Sequence, residues 1–423
     1  MRIMVVGSGG REHALGWRIA QSPQCDKLYF APGNPGTAQC GENLGIKAED
    51  IAGVVEAAQE LKIDLVVVGP EDPLAKGMVD QVRAAGILCF GPSAEGARIE
   101  ADKAFAKELM RSAAIPTAEA RIFKDFAAAR DYVLSREQGV VVKAAGLAKG
   151  KGVFVCAEPH LAIKPLEQIM REKVFGDAGN TVVIEELLTG PEASILALCD
   201  GRTIYTLEAS QDHKPIGDGD TGPNTGGMGA YSPTPIIDDD MLGRIERETL
   251  VPIVDAMHRS FGRYEGCLYA GMMLTPAGPK VLEFNARFGD PETQPLMLRL
   301  TSDLVEAMVA TCRHRLEEVT LQWDPRPAVC VVMASGGYPD KYTNGYEITG
   351  IDAADALADV KVFHAGTAIR DGKLVNAGGR VLGVTALGDT IADAQSRAYQ
   401  AVDKIHWQDC YCRRDIASKA IRK

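Results

Sequence analysis

Four short apolar runs in the first hundred residues, each closed by glycine or proline, constrain the fold of this 423-residue chain most strongly. They lie at Ile3 to Val6, Lys27 to Phe30, Ile63 to Val68 and Gly86 to Phe90. Between them the pattern is helical, at about 11–22, 49–61 and 74–85. Strands alternating with helices form a parallel sheet, and ligands gather at the carboxyl ends of its strands. The first run opens into Gly7-Ser8-Gly9-Gly10-Arg11-Glu12-His13, a strand–turn–helix junction with free amides for an anion. It is not a nicotinamide fingerprint. Glu12 stands where the third glycine is required, and the second run ends in Ala31-Pro32-Gly33-Asn34 with no acid for a ribose. A glycine turn needed only for packing competes with the anion reading of this junction.

The formal net charge of −11 argues against a general nucleic-acid binder, and the composition, 46% hydrophobic and 24% charged, is that of a soluble globular protein. No apolar run reaches membrane-spanning length, and the chain opens on a strand with no signal peptide. Ten cysteines are scattered without a CxxC, which reads as reduced thiols packed as small hydrophobes. Cys410 and Cys412 make only a weak case for a redox or metal pair. The expectation is a cytoplasmic enzyme with small-molecule partners, no nucleic acid and no membrane. A monomer is compatible with it.

The stretch Val281-Leu282-Glu283-Phe284-Asn285-Ala286-Arg287-Phe288-Gly289-Asp290-Pro291-Glu292 carries the densest chemistry. On a strand, residues i and i+2 share a face, so Glu283 and Asn285 point together as hard oxygen ligands suited to magnesium. Arg287 continues that face with a cationic fork suited to phosphate. A buried strand of mutually satisfied polar groups is the bland alternative, disfavoured by the cost of burying three of them without a ligand.

Further elements fit a nucleotide cleft. The strand Val140 to Lys143 leads into Ala144-Ala145-Gly146-Leu147-Ala148-Lys149-Gly150-Lys151-Gly152, a basic glycine-rich hairpin suited to a flap over phosphates. The strand Thr181 to Ile184 enters Glu185-Glu186-Leu187-Leu188-Thr189-Gly190-Pro191-Glu192, an acidic strand edge suited to adenine and ribose.

Lys103, Lys143, the glycine-rich flap, the acidic hinge and Glu283-x-Asn285-x-Arg287, in that order, resemble the ATP-grasp ligases. Three stretches narrow the resemblance to the phosphoribosylamine–glycine ligase (glycinamide ribonucleotide synthetase) family. They are Gly7 to Ala14, the loop Gln211-Asp212-His213-Lys214-Pro215 through Asn224-Thr225-Gly226-Gly227-Met228-Gly229, and Asn285 to Glu292. The resemblance spans essentially the whole chain, including Arg413-Arg414-Asp415-Ile416.

The resemblance implies a multidomain α/β and α+β fold. It would have a Rossmann-like N-terminal domain (residues 1–100), an ATP-grasp core (101–325) with a lid at about 120–187, and a small, mainly antiparallel C-terminal domain (326–423). It implies ligation of glycine to 5-phosphoribosylamine through glycyl phosphate in purine biosynthesis, with ATP as co-substrate and magnesium, or manganese, as the ion. ATP would meet Lys103, Lys143, Gly146, Lys149, Gly150, Lys151, Gly152, Glu185, Glu186, Leu188 and Glu192. Glu283 and Asn285 would hold the metal. Arg287, Lys214 and Asp212 would be catalytic. Gly9, Gly10, Asn34, Gly36, Glu71, Asn224, Thr225, Gly226, Asp290, Pro291 and Glu292 would border the other substrates. Two departures are small: Ala101-Asp102 precedes Lys103, and Pro191 enters the hinge.

Beyond Trp323-Asp324-Pro325 the sequence predicts strands at Ala328 to Ser335, Val360 to His364, Ile369 to Arg370, Lys373 to Val375 and Arg380 to Ala386, then a helix at about 391–405. Little chemistry is legible there. Covering the site is the expected role, and His364 and His406 read as structural. A nicotinamide oxidoreductase is disfavoured by the missing ribose acid. A non-catalytic nucleotide-binding regulator is disfavoured by the intact Glu283, Asn285, Arg287 and lysines. Other ATP-dependent carboxylate ligases are separated by the 211–229 loop.

Overall fold

In the structure, a computed structural model describing residues 1–148 and 151–421, Arg2–Gly7 is the centre of a five-stranded parallel sheet. Lys27–Pro32 pairs on one side and Leu65–Val68 on the other, with Glu42–Asn43 and Leu88–Phe90 at the edges. Both faces are buried, which is why these strands read as continuous apolar runs. Alternate residues enter different cores. Ile3, Val5, Leu65 and Val67 pack with Leu304 and Val305, while Met4, Val6, Val66 and Val68 pack with Leu74 and Met78. The strand order reverses at Arg2–Gly7, so a crevice opens beyond Gly7. The helix expected at 74–85 is two pieces, Glu71–Ala75 and Met78–Ala84, broken at Gly77 with φ +83°. The two-residue strand Glu42–Asn43 has no periodicity and was not foreseen.

A second, antiparallel sheet is ordered Ala120–Phe123, Val182–Glu186, Val140–Ala144, Val153–Cys156. It has its own core around Val142, Val182, Ile184, Ala129 and Ile169. The glycine-rich stretch joins Val140–Ala144 to Val153–Cys156, the expected hairpin; Lys149 and Gly150 lie outside the described residues. A third sheet is ordered Ile204–Thr206, Glu192–Asp200, Glu265–Thr275, Gly278–Asn285. Thr117 bridges to Val281, and Lys143 of the second sheet donates to Leu282 O of the third, so the two sheets flank one cleft.

The C-terminal sheet takes two strands from the long middle loop. Its order is Gln211–Asp212, Gly229–Ser232, Ala328–Ser335, Arg380–Leu387, Val360–His364, with Cys410–Tyr411 also paired to Ala328–Ser335. Ile391–Val402 packs its Ala394, Ala398 and Ala401 on that sheet. The loop's two ends are therefore pinned to an element that follows it by a hundred residues or so in sequence. Among the described residues no helix is long and apolar enough to cross a membrane.

Candidate active site

A cleft of about 610 Å³ runs from the Gly7 turn to the gap between the second and third sheets. That is within the range of small-molecule sites.

One end gathers cations around Glu283. The strand Gly278–Asn285 buries Phe284 in the core and leaves Glu283 and Asn285 on the cleft side. Lys214 Nζ lies 4.0 Å from Glu283 Oε1 and 2.9 Å from Glu192. Lys143 Nζ donates to Leu282 O at 3.0 Å and pairs with Glu185 at 3.0 Å. Lys103 begins the helix Lys103–Ser112, which Asp102 caps by accepting from the Ala104 and Phe105 amides. Its Nζ donates to Gly146 O at 3.4 Å. Burial pushes Glu283 upward, but Lys214, Lys143, Lys103 and Arg287 outweigh it and hold the carboxyl below its ordinary value. An ionised carboxylate beside an amide oxygen, short of a full cage, fits a divalent ion shared with nucleotide phosphates. Among the described residues no cluster of three or more His, Cys, Asp or Glu encloses a metal.

Arg287 follows the end of this strand and sits between carboxylates. Its Nη2 lies 2.9 Å from Glu100 and its Nε 3.4 Å from Glu71. Glu100 in turn accepts the Ala286 amide at 2.7 Å. Burial would lower the Arg287 pKa, but Glu100 and Glu71 raise it above its ordinary value. Arg11 extends the chain of charges: its Nη2 is 3.9 Å from Glu71 and its Nη1 donates to Phe288 O at 3.0 Å.

The other end is acidic. Glu292 Oε1 accepts from Ser194 Oγ and Tyr269 Oη, each at 3.0 Å. Burial pushes the Asp212 carboxyl well above its ordinary value, Glu292 adds to this, and Lys214 and Arg380 oppose it. Arg380 Nη1 donates to Asp290 O at 2.7 Å and to Gly226 O, joining the 290–292 segment to the middle loop. Lys214 O accepts both the amide and the hydroxyl of Thr225 at 2.8 Å. A Cβ on Gly227, at φ +110°, would lie 2.4 Å from Pro291, so the loop and that segment meet closely.

Most predicted residues line this cleft: Gly9, Glu71, Lys103, Lys143, Gly152, Glu185, Glu186, Leu188, Glu192, Asp212, Lys214, Asn224, Thr225, Gly226, Glu283, Asn285, Arg287, Asp290 and Glu292. Gly10, Asn34, Gly36, Gly146, Lys151 and Pro291 are not among its lining residues. The Asn34 carboxamide is consumed internally. It donates to Ser8 O and His364 O and accepts the Gly36 and Thr37 amides. Gly36 packs against His13 and His364. Gly10 starts the helix Gly10–Ile19, Gly146 donates to Ala178 O, and Lys151 Nζ donates to Pro339 O at 3.0 Å. Glu185, 3% exposed, faces Lys107 Nζ at 3.2 Å and Lys143 Nζ at 3.0 Å, so it is a counter-ion to the lysines first. Glu186 accepts from Lys280 at 2.8 Å and from the Glu119 amide at 3.0 Å. Cys410 and Cys412 form no disulfide and belong to no group of three or more His, Cys, Asp or Glu among the described residues that could hold a metal.

Sequence reasoning missed Arg380, Arg11, Glu100, Lys107 and Tyr269, all on the cleft wall. Arg11 lies in the Gly7-to-His13 junction, and the signal that could have found both Arg11 and Glu100 is a charge on a helix face that is otherwise buried. Arg380 opens an apolar strand remote in sequence and gave no local signal.

Comparison with known proteins places this geometry. The chain matches the family models described as phosphoribosylglycinamide synthetase N domain over residues 1–100, ATP-grasp (A) domain over 101–293 and C domain over 328–419. It is 53% identical over 426 residues to the phosphoribosylamine–glycine ligase of Rhodopirellula baltica, spanning 99% of this chain and 98% of that protein. Against the phosphoribosylamine–glycine ligase of Escherichia coli K12 it is 49% identical over 427 residues, spanning 100% and 99%. The crystal structure of the Thermotoga maritima phosphoribosylamine–glycine ligase matches with a TM-score of 0.85 at 33% identity, over 99% of this chain and 100% of that one. A biotin carboxylase from Campylobacter jejuni, at 15% identity and a TM-score of 0.73 over 97% and 92%, shares the fold.

Proposed function

The chain belongs to the phosphoribosylglycinamide synthetase family, and on that premise we propose that it joins glycine to 5-phosphoribosylamine while ATP becomes ADP and phosphate. The product is glycinamide ribonucleotide, an intermediate of purine biosynthesis. The observation that carries this reading is the continuity of one segment: Glu283 and Asn285 at the cationic end and Asp290 and Glu292 at the acidic end both line the same cleft.

A carboxylate is a poor acylating agent. Attack of the glycine carboxylate on the γ-phosphorus, with ADP leaving, gives glycyl phosphate. The phosphoribosylamine nitrogen then attacks its carbonyl carbon, and phosphate leaves. Positioning and charge neutralisation dominate the first step. Lys103 and Lys143 meet the ATP phosphates, and Arg287 steadies the transferring group from its carboxylate seat. Glu283 and Asn285 hold a divalent ion, magnesium or in its place manganese, which supplies charge neutralisation when bound. The flap around Gly146, Lys151 and Gly152 closes over the phosphates and keeps water from the acyl phosphate. The adenine lies at Glu186 and Leu188, and the ribose at Glu192. Lys214 orients glycine beside Asn224, Thr225 and Gly226. Asp212, beside Lys214 on the cleft wall, takes the proton released from the attacking amine. Gly9, Glu71, Asp290 and Glu292 border phosphoribosylamine.

We divide the chain at 1–100, 101–325 and 326–423, a division supported by matches over 1–100, 101–293 and 328–419, and assign the lid to about 120–187. Ten free thiols suit the cytoplasm. Incubation with magnesium-ATP, glycine and phosphoribosylamine tests the whole reading. ADP and the amide should form together, and ADP formation indifferent to glycine would reject it.

A further inference from the structure

The middle loop leaves the C-terminal sheet at Gln211–Asp212 and returns at Gly229–Ser232. Between them it forms a partly exposed ribbon, Pro215–Gly217 against Thr221–Asn224, whose outer turn is Asp218, Gly219 and Asp220. Its inner end carries Lys214, Asn224 and Thr225 into the cleft. Ile216 packs on the C-terminal core, but residues 218–223 are exposed, so hydrogen bonds must hold that outer part.

The C-terminal segment supplies them, contact by contact. Tyr411 Oη donates to Ile216 O at 2.9 Å. Arg413 Nη1 donates to Pro215 O and to Asp220, each at 3.0 Å, while its Nε and Nη2 hold Asp415 at 2.8 and 2.7 Å. Asp415 accepts the Gly219 amide at 2.8 Å, and Asp218 accepts the Arg414 amide at 2.9 Å. Ala417 N donates to His213 Nε2 at 3.3 Å. The Arg413 side chain is 0% exposed although its partners lie at the surface. A planar fork reading a carbonyl and two carboxylates fixes geometry in a way that a lysine does not.

We propose that Arg413 is a positioning residue: through Pro215 and Asp220 it sets the ribbon, and with it Lys214, against the acceptor end of the cleft. Pro215 directly follows Lys214, so a ribbon released at Pro215 lets Lys214 drift from Glu192 and Glu283. This inference rests on the reading of Lys214, Asn224 and Thr225 as acceptor-side contacts.

The test uses the full chain with Arg413→Gln, Arg413→Lys, Asp415→Asn and Tyr411→Phe. In Arg413→Gln, amide hydrogen exchange should rise across residues 214–224 and stay at the wild-type rate in the five-stranded sheet. KM for glycine should rise about tenfold, the loss of one charge-assisted bond, while KM for ATP, felt only through Glu192 and Glu283, rises less. Arg413→Lys should recover part of that loss. If Arg413→Gln does not fold, Asp415→Asn and Tyr411→Phe, which remove single contacts, should move both readouts the same way by less. Wild-type exchange in the ribbon, or KM for ATP rising in step with glycine, would overturn the inference. Asn224→Ala in the intact clasp separates the two readings. An unmoved glycine KM there rejects the acceptor-side assignment, and a raised one beside an unresponsive Arg413→Gln rejects the clasp alone.

Discussion

Glu12 Oε2 accepts the Gly9 amide at 2.6 Å, closing the donor that a dinucleotide-binding turn leaves open for pyrophosphate. The other oxygen of Glu12 pairs with Arg11 Nε at 2.6 Å, and Arg11 goes on to Phe288 O. The residue that spoils the nicotinamide fingerprint therefore ties the first turn to the 283–292 segment. A Cβ at Gly7 or Gly69 would strike Glu12 at 2.5 or 2.2 Å, so both glycines make room for that carboxylate.

Glu12→Gly recreates the glycine pattern but leaves Arg11 buried without its main partner. Breaking a buried pair from one side costs on the order of 3–5 kcal/mol. Denaturant titration should show a loss of that order, and fluorescence titration should show no NADH binding. A stable variant that binds NADH would overturn this account of the turn.

Glu283→Ala removes the carboxylate that four cations surround. ATP-dependent phosphate release should fall at least ~100-fold, as expected when a charge-stabilising group is lost. Circular dichroism should report an unchanged fold. Near-normal turnover at saturating magnesium would exclude Glu283 as the metal ligand.

The parts of this architecture that follow local rules were legible. Glu283 and Asn285 flank a buried Phe284 because a strand has period two, and the parallel sheet followed from apolar runs buried on both faces. What depends on distant partners was not. Gln211–Asp212 is too short to show a pattern, yet it pairs with Gly229–Ser232 in the C-terminal sheet. Asn34, in a Pro-Gly loop, reads equally as a ligand contact or a turn former. Its carboxamide accepts the Gly36 and Thr37 amides as a turn former does, and its bond to His364 O, far along the chain, could not be read from the sequence. Arg380 reaches the cleft from a domain whose sequence named no chemistry, so the C-terminal part contributes to the wall as well as covering it.

Acid should weaken the fold through buried imidazoles. Burial and Lys361 push His364 down to about 4, and burial with Lys419 and Arg413 pushes His213 down to about 4. The unfolded chain protonates both near the ordinary value of 6.5. Between those values the unfolded state binds more protons than the folded state, so stability falls as pH drops from 6.5 towards 4. His364→Asn should flatten this dependence by up to about 1.4 kcal/mol per pH unit, one proton's worth. Urea unfolding at several pH values checks it, and parallel curves for the two proteins would show that His364 is not the titrating group.

Arg380→Met tests whether the C-terminal sheet shapes the acceptor end. The guanidinium holds Asp290 O and Gly226 O together, and Asp290 Oδ1 lies 3.6 Å away. Methionine keeps much of the apolar stem and removes the fork, so the loss is of bonds more than of packing. The 290–292 segment and the middle loop then part, while Lys103, Lys143 and Glu186 at the nucleotide end keep all their contacts. KM for glycine and phosphoribosylamine should rise about 10- to 100-fold, equivalent to one or two charge-assisted bonds, with ATP affinity unchanged. Isothermal titration with ATP and steady-state kinetics on each substrate separate the two effects. An equal loss of ATP affinity would mean that Arg380 supports the cleft as a whole, and the division into a nucleotide end and an acceptor end would have to be redrawn.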